Sequence, residues 1–160
     1  MSVFIGYHKK MKKEDLTEQD YQLVAAAISE VKKPILEFGG NETKAKVGSA
    51  LRLDSGEIIA SVNIRTDVGS LSLCAEPIAI AEARKHVAKK IDTIVAVYQK
   101  PEEEPRVIPP CGNCREFIAD YAHEGFVILR EPKSEKLFKV RSVDLLPLRY
   151  ADFWDGDYLI

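Results

Sequence analysis

From Thr17 onward apolar residues return at helical intervals, with Tyr21, Val24, Ile28 and Val31 on one face and a Thr17-x-x-Asp20 capping-box pattern at the start. The spacing predicts a first helix that stops at Lys33-Pro34. Gly39, Gly40 and Asn41 then break the chain. Residues 46–53 and 57–64 read as two strands joined at Asp54-Ser55-Gly56, a hairpin signal, with the second ending at Asn63. Over residues 74–89 the pattern predicts a helix rich in small side chains, able to lie close against a sheet. Its Pro77 is tolerable because it falls in the first turn.

The almost wholly apolar run 91–98 fits a strand covered on both faces. After the acidic loop Glu102 to Glu104 and the Pro109-Pro110 stop, a third helix follows from Cys111, with Cys111, Cys114, Ile118 and Tyr121 along one side. Residues 126–129 and 137–140 suggest two more strands and 143–146 a short helix, before an aromatic tail of Tyr150, Phe153, Trp154 and Tyr158. Strands alternating with helices predict a three-layer α/β domain with helices on both faces of one sheet. The expectation is one unit over residues 1–160, with its core at about 17–150 and the tail at 150–160.

Composition narrows the class. At 160 residues, 46% hydrophobic and 30% charged, the chain can bury a core of its own. A net charge of −2 speaks against a nucleic-acid partner, because the cationic surface that holds phosphates is absent. Lys9, Lys10, Lys12 and Lys13 form one basic run, but Glu14 and Asp15 follow at once, so it reads as solvated surface. No stretch suits a membrane span or a cleaved leader, which makes a cytoplasmic location the expectation. Three cysteines in a reducing compartment point to metal binding or catalysis rather than to disulfides.

Their spacing carries the chemistry. Cys111 and Cys114 lie three apart at a helix start, on one face and one turn apart, and Cys74 opens another helix. Thiolates suit zinc, and helix N-termini favour their negative charge. Three protein ligands leave a fourth tetrahedral position open, as in catalytic rather than structural zinc sites. Glu76, two residues after Cys74, can project toward that position and relay protons without being a ligand.

Cys74-Ala75-Glu76 followed by Pro110-Cys111-Gly112-Asn113-Cys114 resembles the cytidine deaminase superfamily in its three-cysteine form. The resemblance spans about residues 17–150, and Leu145-Leu146-Pro147 with Tyr150 and Trp154 is similar to the blasticidin S deaminases. It implies an α/β/α fold around a central mixed sheet and a zinc ion held by Cys74, Cys111 and Cys114. It also implies hydrolytic loss of ammonia from a free cytosine-type nucleoside (cytidine or deoxycytidine) or an analogue such as blasticidin S, with Glu76 as base and then acid. Asn63 stands where the family's sugar-binding Asn would be, and Ala75 joins it as a substrate-binding residue. A homotetramer with sites near subunit interfaces is implied as well.

Some positions depart from the family. Arg65 replaces a sugar-binding Glu and Thr66 an Asn; Ala45 replaces a stacking aromatic, and Pro77 an Arg. Arg65 offers donors only, so an acidic group near the sugar position is expected unless Arg65 turns to solvent or pairs with an acid such as Asp67, in which case the resemblance is to an ordinary cytidine deaminase. Arg115 and Trp154 are candidate supports of the site. Two other readings stand beside the deaminase: a thioredoxin-like redox pair at Cys111 and Cys114, which leaves Cys74 and Glu76 unexplained, and a structural zinc module closed by His86. His8 and His123 read as surface residues.

Overall fold

The computed structural model describes residues 11–36, 42–44, 46–87, 89–100 and 102–153, with the backbone alone at 42–44 and 153. His8, Lys9, Lys10, the break at Gly39 to Asn41 and Ala45 lie outside the described residues. Helix α1 spans Glu18–Lys32 and starts as its pattern predicts. The Thr17 hydroxyl accepts from the Asp20 N–H, and the Asp20 carboxylate accepts from the Thr17 N–H. Strands β1 (Pro34–Leu36) and β2 (Glu42–Lys44) pair as a separate antiparallel ribbon.

The main sheet begins with the hairpin of β3 (Val47–Leu53) and β4 (Ile58–Val62). Gly56 turns it with a φ of 88°, a left-handed conformation that glycine adopts without a Cβ penalty. Helix α2 (Ala75–Ala83), β5 (Ile91–Tyr98), β6 (Arg106–Ile108), α3 (Gly112–Tyr121), β7 (Phe126–Arg130) and β8 (Leu137–Arg141) follow. The order β4-β3-β5-β7-β8 makes one mixed sheet, parallel between β5 and β7 and antiparallel elsewhere. The outer edge of β5 is divided: Thr93 and Ile94 pair with β7, and residues 96–98 pair with β6. This short strand carries the chain to Pro109-Pro110 and Cys111.

Strand alternation sends successive side chains to opposite faces. Ala50, Val95 and Val97 pack against Leu23, Ala27 and Val31 of α1, while Leu51, Leu53 and Ile94 pack against Ile80 and Ala83 of α2 and Ile118 of α3. The three layers expected from the sequence are thus present. A Cβ at Gly48 would stand 2.9 Å from the Ala27 carbonyl oxygen and 3.0 Å from Val31 Cβ, so this glycine lets α1 lie close on β3.

Several boundaries differ from expectation. The helix expected over 74–89 ends at Ala83, and residues 84–87 form turns with Val87 exposed. Helix-favouring residues continue, but the chain must return to the head of β5, where the Asp54 N–H donates to the Lys90 carbonyl at 2.8 Å. The strand expected at 57–64 is confined to Ile58–Val62, and the helix at 143–146 is a 3-10 turn at Ser142–Leu145. Neither the β1–β2 ribbon nor β6 was expected.

A buried charge cluster ties α1 to the sheet. Arg52 of β3 donates to Asp20 at 2.9 Å and, through Nε at 2.9 Å, to Asp92; Lys139 of β8 donates to Asp20 at 2.7 Å. Burial alone would raise the Asp20 carboxyl, but Lys139, the Thr17 N–H and Arg52 hold it at about 2, below its ordinary 3.8. A depressed carboxylate contributes stability above its unfolded value and loses it as pH falls toward the folded one. The stability gap between wild type and Asp20→Asn should therefore shrink by about 2 kcal/mol between about pH 6 and about pH 2, measured by urea unfolding. A gap independent of pH would mean that the cluster contributes through packing alone.

Candidate metal centre

The termini of α2 and α3 meet at one point. Cys74 and Cys111 are the N-cap residues of the two helices, both with extended backbones. Cys114 sits in the first turn of α3, fully buried, where a side chain three residues on from Cys111 projects beside it. The Sγ atoms of Cys74 and Cys111 are 3.8 Å apart and those of Cys111 and Cys114 3.5 Å, with all three within 4.8 Å of one another. Sulfurs at about 2.3 Å from a tetrahedral zinc stand about 3.8 Å apart, so the donor set fits that ion. Among the described residues no carboxylate or imidazole joins the group, which leaves a fourth position for a non-protein ligand.

Charge supports the same reading. Burial pushes the Cys114 thiol well above its ordinary range, and Glu76 and the neighbouring thiols push it further. Burial also raises Cys74. Burial works to raise Cys111 as well, but the Cys114 N–H and the two neighbouring thiols outweigh it and leave Cys111 lowered. Three sulfurs this close become thiolates together only around a cation, which inverts the local preference. Glu76 is 3% exposed. Its burial raises the carboxyl, opposed by hydrogen bonds from its own backbone N–H and from Cys114.

The remaining candidates fall around this point. Ala75, fully buried, opens α2, and its carbonyl accepts a 2.7 Å hydrogen bond from the Ser61 hydroxyl of β4. Ser61 was missed in the sequence; the one available signal was a hydroxyl at an inward-facing strand position. Asn63 follows β4, and its Oδ1 accepts from the Val47 N–H at 2.9 Å. Ile64 and Leu73 exchange two backbone hydrogen bonds of 3.0 Å, which sets Asn63 and Arg65 beside the entry to Cys74. Arg65 is exposed and makes no ion pair with Asp67. Arg115 donates to the Pro110 carbonyl at 3.0 Å and the Leu145 carbonyl at 3.4 Å, bracing the cysteine loop rather than meeting a sulfur. Trp154 and Tyr158 lie outside the described residues.

The family model for the cytidine and deoxycytidylate deaminase zinc-binding region matches residues 7–130. The chain belongs to this family. It is 38% identical over 145 residues to a blasticidin-S deaminase of Bacillus cereus, spanning 88% of this chain and 99% of that one. A cytidine deaminase of Halalkalibacterium halodurans is 31% identical over 78 residues, 49% of this chain and 56% of its own. The crystal structure of a cytidine deaminase from Burkholderia pseudomallei shares the fold, with a TM-score of 0.64 at 23% identity over 84% of this chain and 100% of that one. This protein is thus a zinc-dependent hydrolytic deaminase.

Neither other reading of the deaminase's cysteines is favoured. Cys74 stands against Cys111 as a third sulfur, which a redox pair does not use. His86 lies beyond the end of α2 with its Nδ1 3.2 Å from Glu57, away from the sulfurs. His123 is exposed, as expected. Protein purified under reducing conditions should carry about one zinc per chain by elemental analysis, the stoichiometry of a single three-ligand site. Serine at Cys74, Cys111 or Cys114 should remove the metal and lower the melting temperature, because binding and folding are linked. Full zinc content after any one of these changes would exclude that residue as a ligand.

Proposed function

We propose that this deaminase removes the ring amino group of a cytosine nucleoside analogue that carries a carboxylate near its sugar position, as blasticidin S does. One observation carries the reading: a buried carboxylate, Glu76, beside three sulfurs spaced for a tetrahedral ion with an open fourth position. Cys74, Cys111 and Cys114 hold the zinc, which when bound supplies the Lewis acidity that makes water nucleophilic at neutral pH.

Glu76 accepts a proton from the attacking water and passes it to the ring nitrogen next to the amino-bearing carbon; it then takes the remaining proton of the newly attached hydroxyl, which becomes the product carbonyl, and gives it to the departing amine. A C–O bond forms, the C–N bond breaks, and ammonia leaves. One carboxylate serves as base and then acid, and its burial keeps bulk water from competing for the proton. Ala75 opens α2, where backbone N–H groups lack helical partners, and its N–H is a donor for the ring carbonyl.

The rim favours an acidic substrate. The Asn63 oxygen is occupied by the Val47 N–H, so the amide offers only its NH2 group outward. Arg65 adds a guanidinium with no acceptor. Two donor groups suit a carboxylate better than a sugar hydroxyl that must itself donate. The likeness to a blasticidin-S deaminase over nearly its whole length supports the same choice. The exposed side chains Ile64, Val68, Leu71 and Leu73 beside this rim support assembly into a homotetramer. Three unpaired thiols around a metal suit the cytoplasm.

Glu76→Gln should keep its zinc and its melting temperature yet release ammonia roughly 100-fold more slowly or worse, the usual worth of a positioned acid–base group. Turnover at the wild-type rate would reduce Glu76 to a helix cap; loss of the metal would make it a ligand. For the substrate, kcat/KM should favour blasticidin S over cytidine in the wild type. Arg65→Glu should shift that ratio toward cytidine by about tenfold, the worth of one charge-assisted hydrogen bond. Efficient wild-type turnover of cytidine with no shift in the mutant would overturn the acidic substrate.

A further inference from the structure

Glu76 is buried in the first turn of α2, and its side chain leaves the Cα that directly follows its own backbone N–H. That N–H belongs to the Ala75–Glu76 peptide, whose other end is the Ala75 carbonyl. A peptide unit is planar and stiff, so an interaction that orients the carbonyl also orients the N–H. The Ala75 carbonyl is the acceptor of the 2.7 Å hydrogen bond from Ser61. Within α2 the same oxygen accepts from the fourth residue on, which uses one of its two lone pairs and leaves the other for Ser61.

The hydroxyl stands on a rigid base. Ser61 lies in the β4 ladder directly opposite Ser49, which is fully buried and donates to the Val95 carbonyl of β5 at 2.9 Å. It therefore reaches the start of α2 from a strand whose neighbours fix it on the sheet. The neighbouring inward position, Ile59, is filled by an aliphatic side chain that packs in the core.

We propose that Ser61 is a positioning residue for the deamination: its hydroxyl, through the Ala75–Glu76 peptide, sets the direction of the Glu76 carboxylate toward the open face of the metal site. The inference rests on Glu76 being the proton carrier. The Ser61 hydroxyl donates to the Ala75 carbonyl and not to a sulfur, so its effect falls on the step that moves protons rather than on metal binding.

Thr and Val at position 61 test this, since they share one shape and differ in the hydroxyl alone. With blasticidin S and with cytidine, Ser61→Val should lower kcat by about tenfold or more, the cost of a catalytic group set slightly out of line, with KM within about twofold of wild type and zinc content unchanged. Ser61→Thr should recover kcat to within about twofold of wild type. Equal rates for the Thr and Val variants would overturn the proposal, as would a Val defect confined to KM or to zinc content. Glu76→Gln assayed alongside separates the premise from the inference. Fast turnover by that variant removes Glu76 as the proton carrier; slow turnover by it, with an unimpaired Ser61→Val, overturns the role of Ser61 alone.

Discussion

Three sulfurs and a buried carboxylate cannot hold negative charge at one point unless a cation stands among them, and the fold is arranged to bring that point about. Two helices must present their N-termini to the same place, because there the unsatisfied N–H groups oppose the accumulated charge. Helix α2 reaches it from the β4 edge of the sheet and α3 from the β5 side, each lying on the same face over Leu51, Leu53 and Ile94. The divided edge of β5 serves this convergence: β6 occupies its last residues and delivers the chain to Cys111, and β7 takes the remainder after α3. On the opposite face α1 is fixed by Gly48, which admits it, and by the Asp20–Arg52–Lys139 cluster, which locks it.

The same economy appears around the reactive carboxylate. Glu76 comes two residues after Cys74, so the helix start that places this candidate ligand also places the proton carrier of the proposed reaction. Side chains beyond the cysteines and Glu76 brace the site. The Ser61 hydroxyl meets the first peptide of α2, the Asn63 amide is turned outward by the Val47 N–H, and Arg115 ties the cysteine loop to the turn at Ser142–Leu145. Metal binding draws on a few close sulfurs, whereas in the proposed function substrate choice falls to the polar rim that includes Arg65.

What the sequence showed follows from how local each signal is. The Thr17–Asp20 box, the apolar run of β5 and the cysteine spacing of α3 are set by near neighbours, and the structure has them at the expected residues. Helix α2 stops early because the return to Ile91 requires a turn, a demand of the sheet that Arg84 and Lys85 do not announce. Strand β6 is three residues beside Pro105 and Pro109, too short for alternation to register, and exists because β5 offers an edge. Of the candidate site, the three cysteines that the structure brings together were singled out by their spacing; the Ser61 contact was not, because its partner lies fourteen residues away across two elements.

X-ray absorption at the zinc edge, on the wild type and on Glu76→Gln, tests the central claim most directly. An open three-thiolate site predicts three sulfur neighbours at about 2.3 Å and one oxygen or nitrogen at about 2.0 Å, with the same spectrum in the variant. Four sulfurs, fewer than three, or a light-atom ligand that disappears with Glu76 would contradict it.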